Sequence, residues 1–289
     1  MKIYPKIWLL PVSRFSRGMI GCVLMALMPG VTARVRRQPF VHNWGPIGRL
    51  IRNGLQFTAV ARRDHDLLED FLADYWKSPV SREFFDHFRH RFETLFLAHH
   101  RGIVDEIGRA VDLCQMPRSR VVEVGVGDAR VLEYLGDHLP QVDEFHGIDL
   151  NQKVVEENRN RFAGRNGYWF HTEDVGDWLA AHPAPGTVLF TNGGVFEYFR
   201  RSRLDELFRA LLASGAPCMV AMTETIAVDH DLEGDPESHP YGHEFSFSHN
   251  YPAILHEAGF EVLFIRDRFT AEGEEHHPAR WLQVVARAV

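Results

Sequence analysis

One short run of residues constrains what this chain can fold into more than any other. From Arg120 to Arg130 the sequence reads RVVEVGVGDAR, in which an apolar segment that contains Glu123 leads to Gly125 and Gly127. Glycines at such a turn allow positive φ angles and let a ligand lie directly against the backbone. A helix that follows the turn offers free N–H groups and the positive end of its dipole to that ligand. The run therefore predicts a buried strand, a ligand-binding turn and a helix.

A second apolar segment also ends in an acidic residue. Residues 145–148 read FHGI and are followed by Asp149, which comes 22 residues after Gly127. In a sheet of parallel strands, this spacing places the Asp149 carboxylate at the tip of the neighbouring strand, where it can bind ribose hydroxyls. The two segments together predict a site for a nucleoside cofactor.

The turn itself excludes two common nucleotide-binding motifs. A dinucleotide fingerprint needs a third glycine where Arg130 stands, because a larger side chain there prevents close packing of the helix on the strand. A phosphate-binding loop with the pattern GxxxxGK and a following Ser or Thr is absent from the sequence. The pattern that remains is ExGxGxG, with Ala129 in place of the last glycine.

This pattern resembles motif I of the class I S-adenosylmethionine-dependent methyltransferases. The resemblance covers about 170 C-terminal residues, the length of one α/β domain. It includes, in the expected order, Asp149, the acidic turn at Glu173 and Asp174, and residues 189–194 (LFTNGG). It implies an α/β fold with a seven-stranded, mainly parallel, doubly wound sheet and an antiparallel C-terminal hairpin. It also implies S-adenosyl-L-methionine as cofactor and methyl transfer as activity.

The resemblance also implies which residues surround the cofactor. Glu123 is expected near the sulfonium and orients the amino-acid moiety, Asp149 takes both ribose hydroxyls, and Asp174 accepts the exocyclic amine of adenine. An alternative for Asp174 is that it only caps the helix that it precedes. The complete expected set is Glu123, Gly125, Gly127, Asp149, Leu150, Asp174, Val175, Asn192 and Gly193.

The order of apolar segments predicts the same architecture. From residue 120 onward, strand segments alternate with helical segments, which requires right-handed crossovers and a sheet covered on both faces. The last two strands, expected at 260–267 and 280–288, have no helix between them and should form a hairpin. Asn151 and Ser202 are expected to cap helices.

Residues 64–118 read as helices that precede this domain. Apolar residues recur there at helical spacing, and Gly102 is expected to separate two of the helices. The predicted organisation is a basic apolar N-terminal arm at 1–63, a helical lid or substrate region at 64–118 and a methyltransferase domain at 119–289.

Charge is distributed unevenly along the chain. The first acidic residue is Asp64, and eleven Lys and Arg residues precede it. Because the whole chain has 32 cations and 39 acids, residues 64–289 contain 21 cations and all 39 acids, a net charge of −18. An acidic domain of this kind repels phosphates, so nucleic acid is not an expected partner.

Within the basic arm lies an apolar run at residues 19–28, which is closed by Pro29 and Gly30. A bilayer span needs about 20 residues, so this run is too short for a comfortable span. Three interpretations stay open. The arm packs on the acidic domain or on a second subunit in a homodimer, it forms an interfacial helix on anionic lipid, or it is a targeting peptide.

The loop after the fifth strand holds the candidate catalytic bases. His243 and His249 flank an aromatic strip that could contact a planar or apolar substrate, and imidazole titrates near neutrality. Methyl transfer needs a base only when the acceptor is a hydroxyl or a protonated amine. The alternative is that both histidines are merely solvated. No spacing in the loop matches a metal site.

Two classes of function stay open from the sequence. The first is an enzyme that methylates a small molecule, with lipids, isoprenoids and aromatic metabolites ahead of macromolecules. The second is a non-catalytic methyltransferase-fold binding or scaffold protein, and a protein methyltransferase is a further alternative. Because the implied cofactor is made and used inside cells, the expected location is cytoplasmic, at the membrane surface if the arm binds lipid.

Overall fold

The strand segments read from the sequence assemble into one seven-stranded sheet in the computed structural model of the chain. The structure describes residues 12–39, 44–78, 81, 90–116, 118–242, 245–269 and 279–289. The strands are β1 (Ser119–Val124), β2 (Val142–Ile148), β3 (Tyr168–His171), β4 (Thr187–Asn192), β5 (Cys218–Ile226), β6 (His239–Tyr241), β7 (Ser246–Ser248), β8 (Phe260–Phe269) and β9 (Arg280–Ala288).

The sheet order is β3-β2-β1-β4-β5-β9-β8, and β6 pairs separately with β7. Strands β1 to β5 pair in parallel, whereas β9 is antiparallel to both β5 and β8. The predicted mainly parallel sheet with an antiparallel C-terminal hairpin is therefore confirmed. The carboxyl ends of the parallel strands meet at one edge, which is where open α/β sheets bind ligands.

Helices precede the sheet and alternate with its strands. They are α1 (Val12–Leu27), α2 (Pro29–Arg37), α3 (Gly45–Arg62), α4 (His65–Lys77), a π-helix (Phe92–His100), α5 (Gly102–Leu113), α6 (Arg130–His138), α7 (Gln152–Arg161), α8 (Val175–Ala181), α9 (Arg201–Ala213) and α10 (Tyr251–Ala258). Gly102, which was expected to separate two helices, is the first residue of α5, and only Arg101 lies between it and the π-helix. The helical region at the start of the chain is likewise present in the described residues.

Two hydrophobic clusters cover the two faces of the sheet. One face carries Val121, Phe190 and Val285 against the π-helix, α5 and α6, and the other carries Val122 and Leu189 against α8, α9 and α10. Neighbouring residues of a strand point to opposite faces, so a strand buried on both sides is apolar at nearly every position. An acidic residue inside such a strand needs a partner or a function.

One of the two expected helix caps is correct. The Asn151 side chain accepts hydrogen bonds from the N–H groups of Lys153 and Val154 at the start of α7. Ser202 is wrong as a cap, because α9 begins one residue earlier, at Arg201. The Ser202 hydroxyl instead accepts a hydrogen bond of 2.9 Å from Nε of Arg200.

The described chain divides into two units, one within Met1–Asp86 and Ser238–Ser248, the other within His87–Glu237 and His249–Val289. These boundaries differ from the expected divisions after residues 63 and 118. The π-helix and α5 belong to the sheet-containing unit because they pack on one face of the sheet. The β6–β7 pair, which follows β5 in sequence, belongs to the N-terminal unit.

In the N-terminal unit, α1 lies directly against α3. A Cβ atom added to Gly21 would lie 2.1 Å from the carbonyl oxygen of Leu50. The small core of this unit contains Val35, Ile51, Leu55 and Phe71. Among the residues that the structure describes, no single helix has the length and hydropathy of a membrane crossing. Arg14–Leu27 and Pro29–Arg37 reach that threshold only as a pair, with a bend of 117° between them.

Candidate functional site

The turn after β1 exposes bare backbone at the carboxyl edge of the sheet. Gly125 and Gly127 have φ angles of +68° and +51°, a region that favours glycine. The N–H of Gly125 donates to the carbonyl oxygen of Ile148 at 2.8 Å, which ties the turn to the end of β2. A Cβ atom added to Gly125 would lie 2.8 Å from Cγ2 of Val195. The turn therefore leaves no room for a side chain at this position.

Asp149 follows β2 directly and lies beside this turn. Its Oδ2 accepts a hydrogen bond of 3.1 Å from the N–H of Gly127, and its Oδ1 accepts one of 2.9 Å from the N–H of Asn151. Burial raises the pKa of the Asp149 carboxyl, and these backbone donors oppose the shift. A carboxylate oxygen can accept more than one hydrogen bond, so both oxygens retain capacity for ligand hydroxyls.

Glu123 is the buried acid of β1. It pairs across the sheet with Gly147 on one side and Phe190 on the other. Its Oε2 has no hydrogen-bond partner among the described residues. Burial raises the pKa of this carboxyl well above its usual range, and the nearby carboxylates of Asp128 and Asp149 raise it further. An unsatisfied buried acceptor costs about 1–3 kcal/mol, so a ligand that donates a hydrogen bond there would be stabilised.

A second buried acid, Glu224 on β5, fixes the loop that follows β4. Its Oε1 accepts hydrogen bonds from the Thr191 hydroxyl at 2.6 Å and the N–H of Val195 at 3.1 Å. Its Oε2 accepts from the N–H groups of Phe196 at 3.0 Å and Glu197 at 3.4 Å. Burial raises the pKa of Glu224 to about 7. Glu224 thereby holds Val195 against the glycine turn.

A row of polar side chains continues along the same edge of the sheet. The strand register aligns Asn192 of β4 with Thr223 of β5, and Thr223 with Gln283 of β9. Asn192 lies two residues beyond Phe190, the partner of Glu123, so Asn192 and Glu123 share one face. Within the described part of the chain, neither Oδ1 of Asn192 nor Oε1 of Gln283 has a hydrogen-bond partner. The row therefore carries two buried side-chain oxygens without a hydrogen bond of standard geometry, and the Asn192 side chain lies close enough to the His100 ring to oppose the lowering of its pKa.

His100 completes this group, and we refer to His100, Asn192 and Gln283 as the acceptor cluster. Nε2 of Gln283 donates to the carbonyl oxygen of His100 at 2.9 Å. The His100 side chain is 1% exposed, and neither ring nitrogen has a hydrogen-bond partner among the described residues. Burial and the positive charge of Arg91 lower the pKa of His100 to about 3, so the ring is neutral at physiological pH. Irregular π-helical turns of the kind that ends at His100 are frequent at functional sites.

Several solved structures are similar to this chain in fold. A magnesium protoporphyrin IX methyltransferase from Synechocystis PCC 6803 with bound SAH has a TM-score of 0.50 and 15% identity, over 77% of this chain and 100% of that chain. The same enzyme with bound SAM has a TM-score of 0.49 and 16% identity, over 77% and 97%. A methyltransferase from Clostridium acetobutylicum ATCC 824 has a TM-score of 0.48 and 12% identity, over 71% and 98%. No family model and no curated protein matches the chain.

The chain has the fold of the class I S-adenosylmethionine-dependent methyltransferases. At this level of identity the similarity establishes the fold alone. Within this methyltransferase fold, the turn after β1 and the acid after β2 are neighbours at the carboxyl edge of the sheet, as the resemblance in sequence implies. The pair is joined by the hydrogen bond from Gly127 to Asp149.

Asp174 and Val175 lie at the start of α8 in the methyltransferase fold. Oδ1 of Asp174 accepts hydrogen bonds from the N–H groups of Gly176 at 2.8 Å and Asp177 at 3.3 Å, and it also forms an ion pair with Arg203. The capping role that was the alternative for Asp174 is therefore present. Val175 is buried in the core on the same face as α9, so its placement beside a cofactor ring stays a prediction.

The two histidines expected as bases are not brought together with Glu123 and Asp149 by any described contact. His243 lies outside the described residues. His249 precedes α10 and is completely buried, and its Nε2 donates to the carbonyl oxygen of Phe199 at 2.8 Å. Burial lowers the pKa of His249 to about 3. The burial of the ring and its low pKa favour a structural role for His249.

Sequence reasoning missed Glu224 and His100. The signal for Glu224 was available, because an acid interrupts the apolar segment CMVAMTETI as Glu123 interrupts its own strand. The signal for His100 was weaker, because its burial depends on Trp281, whose ring centroid is 4.7 Å away. His100 and Trp281 are separated in sequence by most of the sheet-containing unit.

Replacing His100 by leucine is expected to raise the free energy of unfolding by about 1 kcal/mol, because the substitution removes buried polar atoms that have no partner. His146 provides a matched comparison, since it is also buried but bonds His171 and Glu144 at 3.2 Å each. His146→Leu should lower the free energy of unfolding by about 1–2 kcal/mol. Urea denaturation measures both, and an equal loss for the two variants would show that His100 is satisfied in the resting protein.

Proposed function

We propose that this protein binds S-adenosyl-L-methionine at the carboxyl edge of the sheet and transfers its methyl group to a small molecule. The observation that carries the proposal is the buried, unsatisfied Oε2 of Glu123 beside a turn of bare backbone. A buried carboxylate with an unpaired oxygen is stabilised by a cation, and this cofactor carries both an ammonium group and a sulfonium. The residues present therefore fit the cofactor.

The geometry supports contacts of Asp149 and Asp174 with the nucleoside part of the cofactor. Asp149 lies next to Gly127 and can accept hydrogen bonds from two ribose hydroxyls. Leu150 directly follows it and supplies apolar surface for the adenine ring. For Asp174, the helix cap and Arg203 occupy Oδ1, so we assign the adenine amine to its other carboxylate oxygen. Val175 then lies at the edge of the ring.

Asn192 is the last residue of β4, and Gly193 follows it, on the side of the site where we place the molecule that accepts the methyl group. The carbonyl oxygen of Gly193 accepts a hydrogen bond of 3.1 Å from Nη2 of Arg91. That bond fixes the backbone at the point where β4 leaves the sheet. We infer that this backbone limits how the methyl donor and the acceptor molecule approach each other.

When bound, the cofactor supplies an already activated methyl group, so the protein mainly has to align the acceptor and exclude water. The acceptor cluster supports a substrate that donates hydrogen bonds. Neutral His100, Oδ1 of Asn192 and Oε1 of Gln283 can each accept one. This chemistry favours a hydroxyl or an amine as the methylated group. His100 would then accept a hydrogen bond from that group and orient it, and we assign no role in the reaction to His249.

A small-molecule acceptor is supported by charge and by burial. Residues 64–289 carry a net charge of −18, which opposes binding of nucleic acid. His100 is 1% exposed, so the acceptor cluster suits a small group better than a bulky polymer. The first alternative is a non-catalytic binding protein, and the second is a protein methyltransferase. The unused acceptors of the cluster favour the enzyme, because a scaffold does not need them.

Calorimetry with S-adenosylhomocysteine on the full chain tests cofactor binding. We expect a dissociation constant in the micromolar range and no heat with nicotinamide or flavin dinucleotides. Tight binding of a dinucleotide instead would overturn the proposal. Incubation of the protein with a small-molecule extract and methyl-deuterated cofactor then separates enzyme from scaffold, because only the enzyme produces a labelled small molecule in the mass spectrum.

A further inference from the structure

Helix α1 has two unlike sides, and contact with α3 determines which of them faces outward. Gly21 meets the backbone of Gly54, where an added Cβ atom would lie 2.5 Å from the Gly54 nitrogen. A Cβ atom added to Gly18 would lie 2.7 Å from Cδ2 of Phe57. Only glycine permits this close approach, so the small side of α1 always faces α3. The opposite side of α1 then cannot turn inward.

That opposite side is apolar and exposed. Met19, Ile20, Val23 and Leu27 are 47%, 50%, 57% and 73% exposed, and their spacing places them on one face of the helix. We call these four residues the α1 apolar face. Single exposed apolar side chains are common on protein surfaces, but a contiguous group of large ones usually marks an interaction surface.

The segment that carries this face has charges of one sign only. Eleven Lys and Arg residues and no acidic residue occur in residues 1–63. Helix α2 begins two residues after Leu27 and carries Arg34, Arg36 and Arg37, all exposed. On α1 itself, Arg17 is exposed as well. Exposed apolar side chains on a segment whose only charges are cationic match the boundary between the headgroups and acyl chains of an anionic bilayer.

We propose that the α1 apolar face docks this protein on an anionic phospholipid membrane. The four apolar side chains enter the boundary between headgroups and acyl chains, and the arginines of α2 contact the headgroups. A second copy of the chain is a poorer occupant, because two basic surfaces would repel each other across the interface. The bend of 117° between α1 and α2 suits helices that lie on a bilayer rather than cross it.

The test is co-sedimentation of the full chain with vesicles, without cofactor, so that its result is independent of the proposed methyl transfer. We expect binding to mixed phosphatidylcholine and phosphatidylserine vesicles and at least about tenfold weaker binding to phosphatidylcholine alone. Ile20→Gln with Leu27→Gln should weaken binding about tenfold or more. The triple variant Arg34→Glu, Arg36→Glu, Arg37→Glu should also bind vesicles at least about tenfold more weakly. Added salt should weaken vesicle binding of the wild type.

A matched control exists in the sheet-containing unit. Leu113 and Ile265 are 64% and 49% exposed, close to the values for Leu27 and Ile20. Leu113→Gln with Ile265→Gln should leave vesicle binding unchanged. All of these side chains are exposed, so thermal unfolding followed by circular dichroism should remain near that of the wild type.

Three results would overturn the proposal. The first is equal vesicle binding by the wild type and the Ile20→Gln, Leu27→Gln variant. The second is equal binding to vesicles with and without phosphatidylserine, which would remove the electrostatic half of the argument. The third is that the wild type does not bind vesicles and has the mass of a dimer in light scattering, whereas the Ile20→Gln, Leu27→Gln variant has the mass of a monomer. That result would assign the face to a second copy of the chain.

Discussion

Asp149→Ala is expected to weaken binding of S-adenosylhomocysteine by about 100-fold. The substitution removes a carboxylate that can accept hydrogen bonds from two ribose hydroxyls, and bonds to a charged group contribute about 1.5–3 kcal/mol each. The loss of about 3 kcal/mol corresponds to this change in dissociation constant. Isothermal titration calorimetry on the purified variant measures it directly.

The control for this prediction is Asp149→Asn. Asparagine retains one oxygen that can accept the N–H of Asn151, which bonds Oδ1 of Asp149 at 2.9 Å in the wild type. It loses the charge, so we expect about tenfold weaker binding. Both variants should be compared by thermal unfolding, because Asp149 also orders the Gly127 backbone. Unchanged affinity in folded Asp149→Ala would show that the ribose is held elsewhere.

Glu224→Leu is expected to lower the free energy of unfolding by about 3–5 kcal/mol. Leucine leaves the N–H groups of Val195 and Phe196 and the Thr191 hydroxyl without their acceptor. The site should suffer as well, since Val195 packs against Gly125. Urea denaturation measures the loss. A loss below about 1 kcal/mol would show that the loop after β4 does not depend on this carboxyl.

The pH dependence of stability provides a second measure of Glu224. Its pKa is about 7 in the folded protein against a usual 4.5, so the folded state binds this proton more tightly than the unfolded state. The resulting stabilisation is complete below pH 4.5 and is lost as the pH rises through about 7, a total of about 3 kcal/mol. Glu224→Gln cannot titrate. The stability of the wild type relative to Glu224→Gln should therefore decrease between pH 4.5 and pH 8, and a constant difference would contradict the assignment.

Much of the sheet was predictable because each strand carries its own signal. The last two strands were expected at 260–267 and 280–288, and they are Phe260–Phe269 and Arg280–Ala288 in the structure. Buried parallel strands are nearly continuous apolar runs, and the Gly and Asn residues between them mark where the chain turns. The C-terminal hairpin followed from the absence of a helical segment between its two strands.

The parts that were missed depend on contacts between distant segments. The donors to Glu224 come from the loop after β4, so nothing near Glu224 in the sequence reveals its partners. His249 was expected in a polar loop, yet its neighbour is the carbonyl oxygen of Phe199, 50 residues earlier. Ser202 has a residue type that suits a cap, but α9 begins one residue earlier.

The close approach of Gly125 and Val195 links two positions that are 70 residues apart in the sequence. A side chain at position 125 would require a smaller residue at position 195, because the space between them is less than one methyl group, and the positive φ of Gly125 would strain the backbone as well. A protein engineer who wishes to vary codon 125 should therefore randomise codon 195 together with it. A library that varies codon 125 alone would contain mostly clones in which the two segments collide.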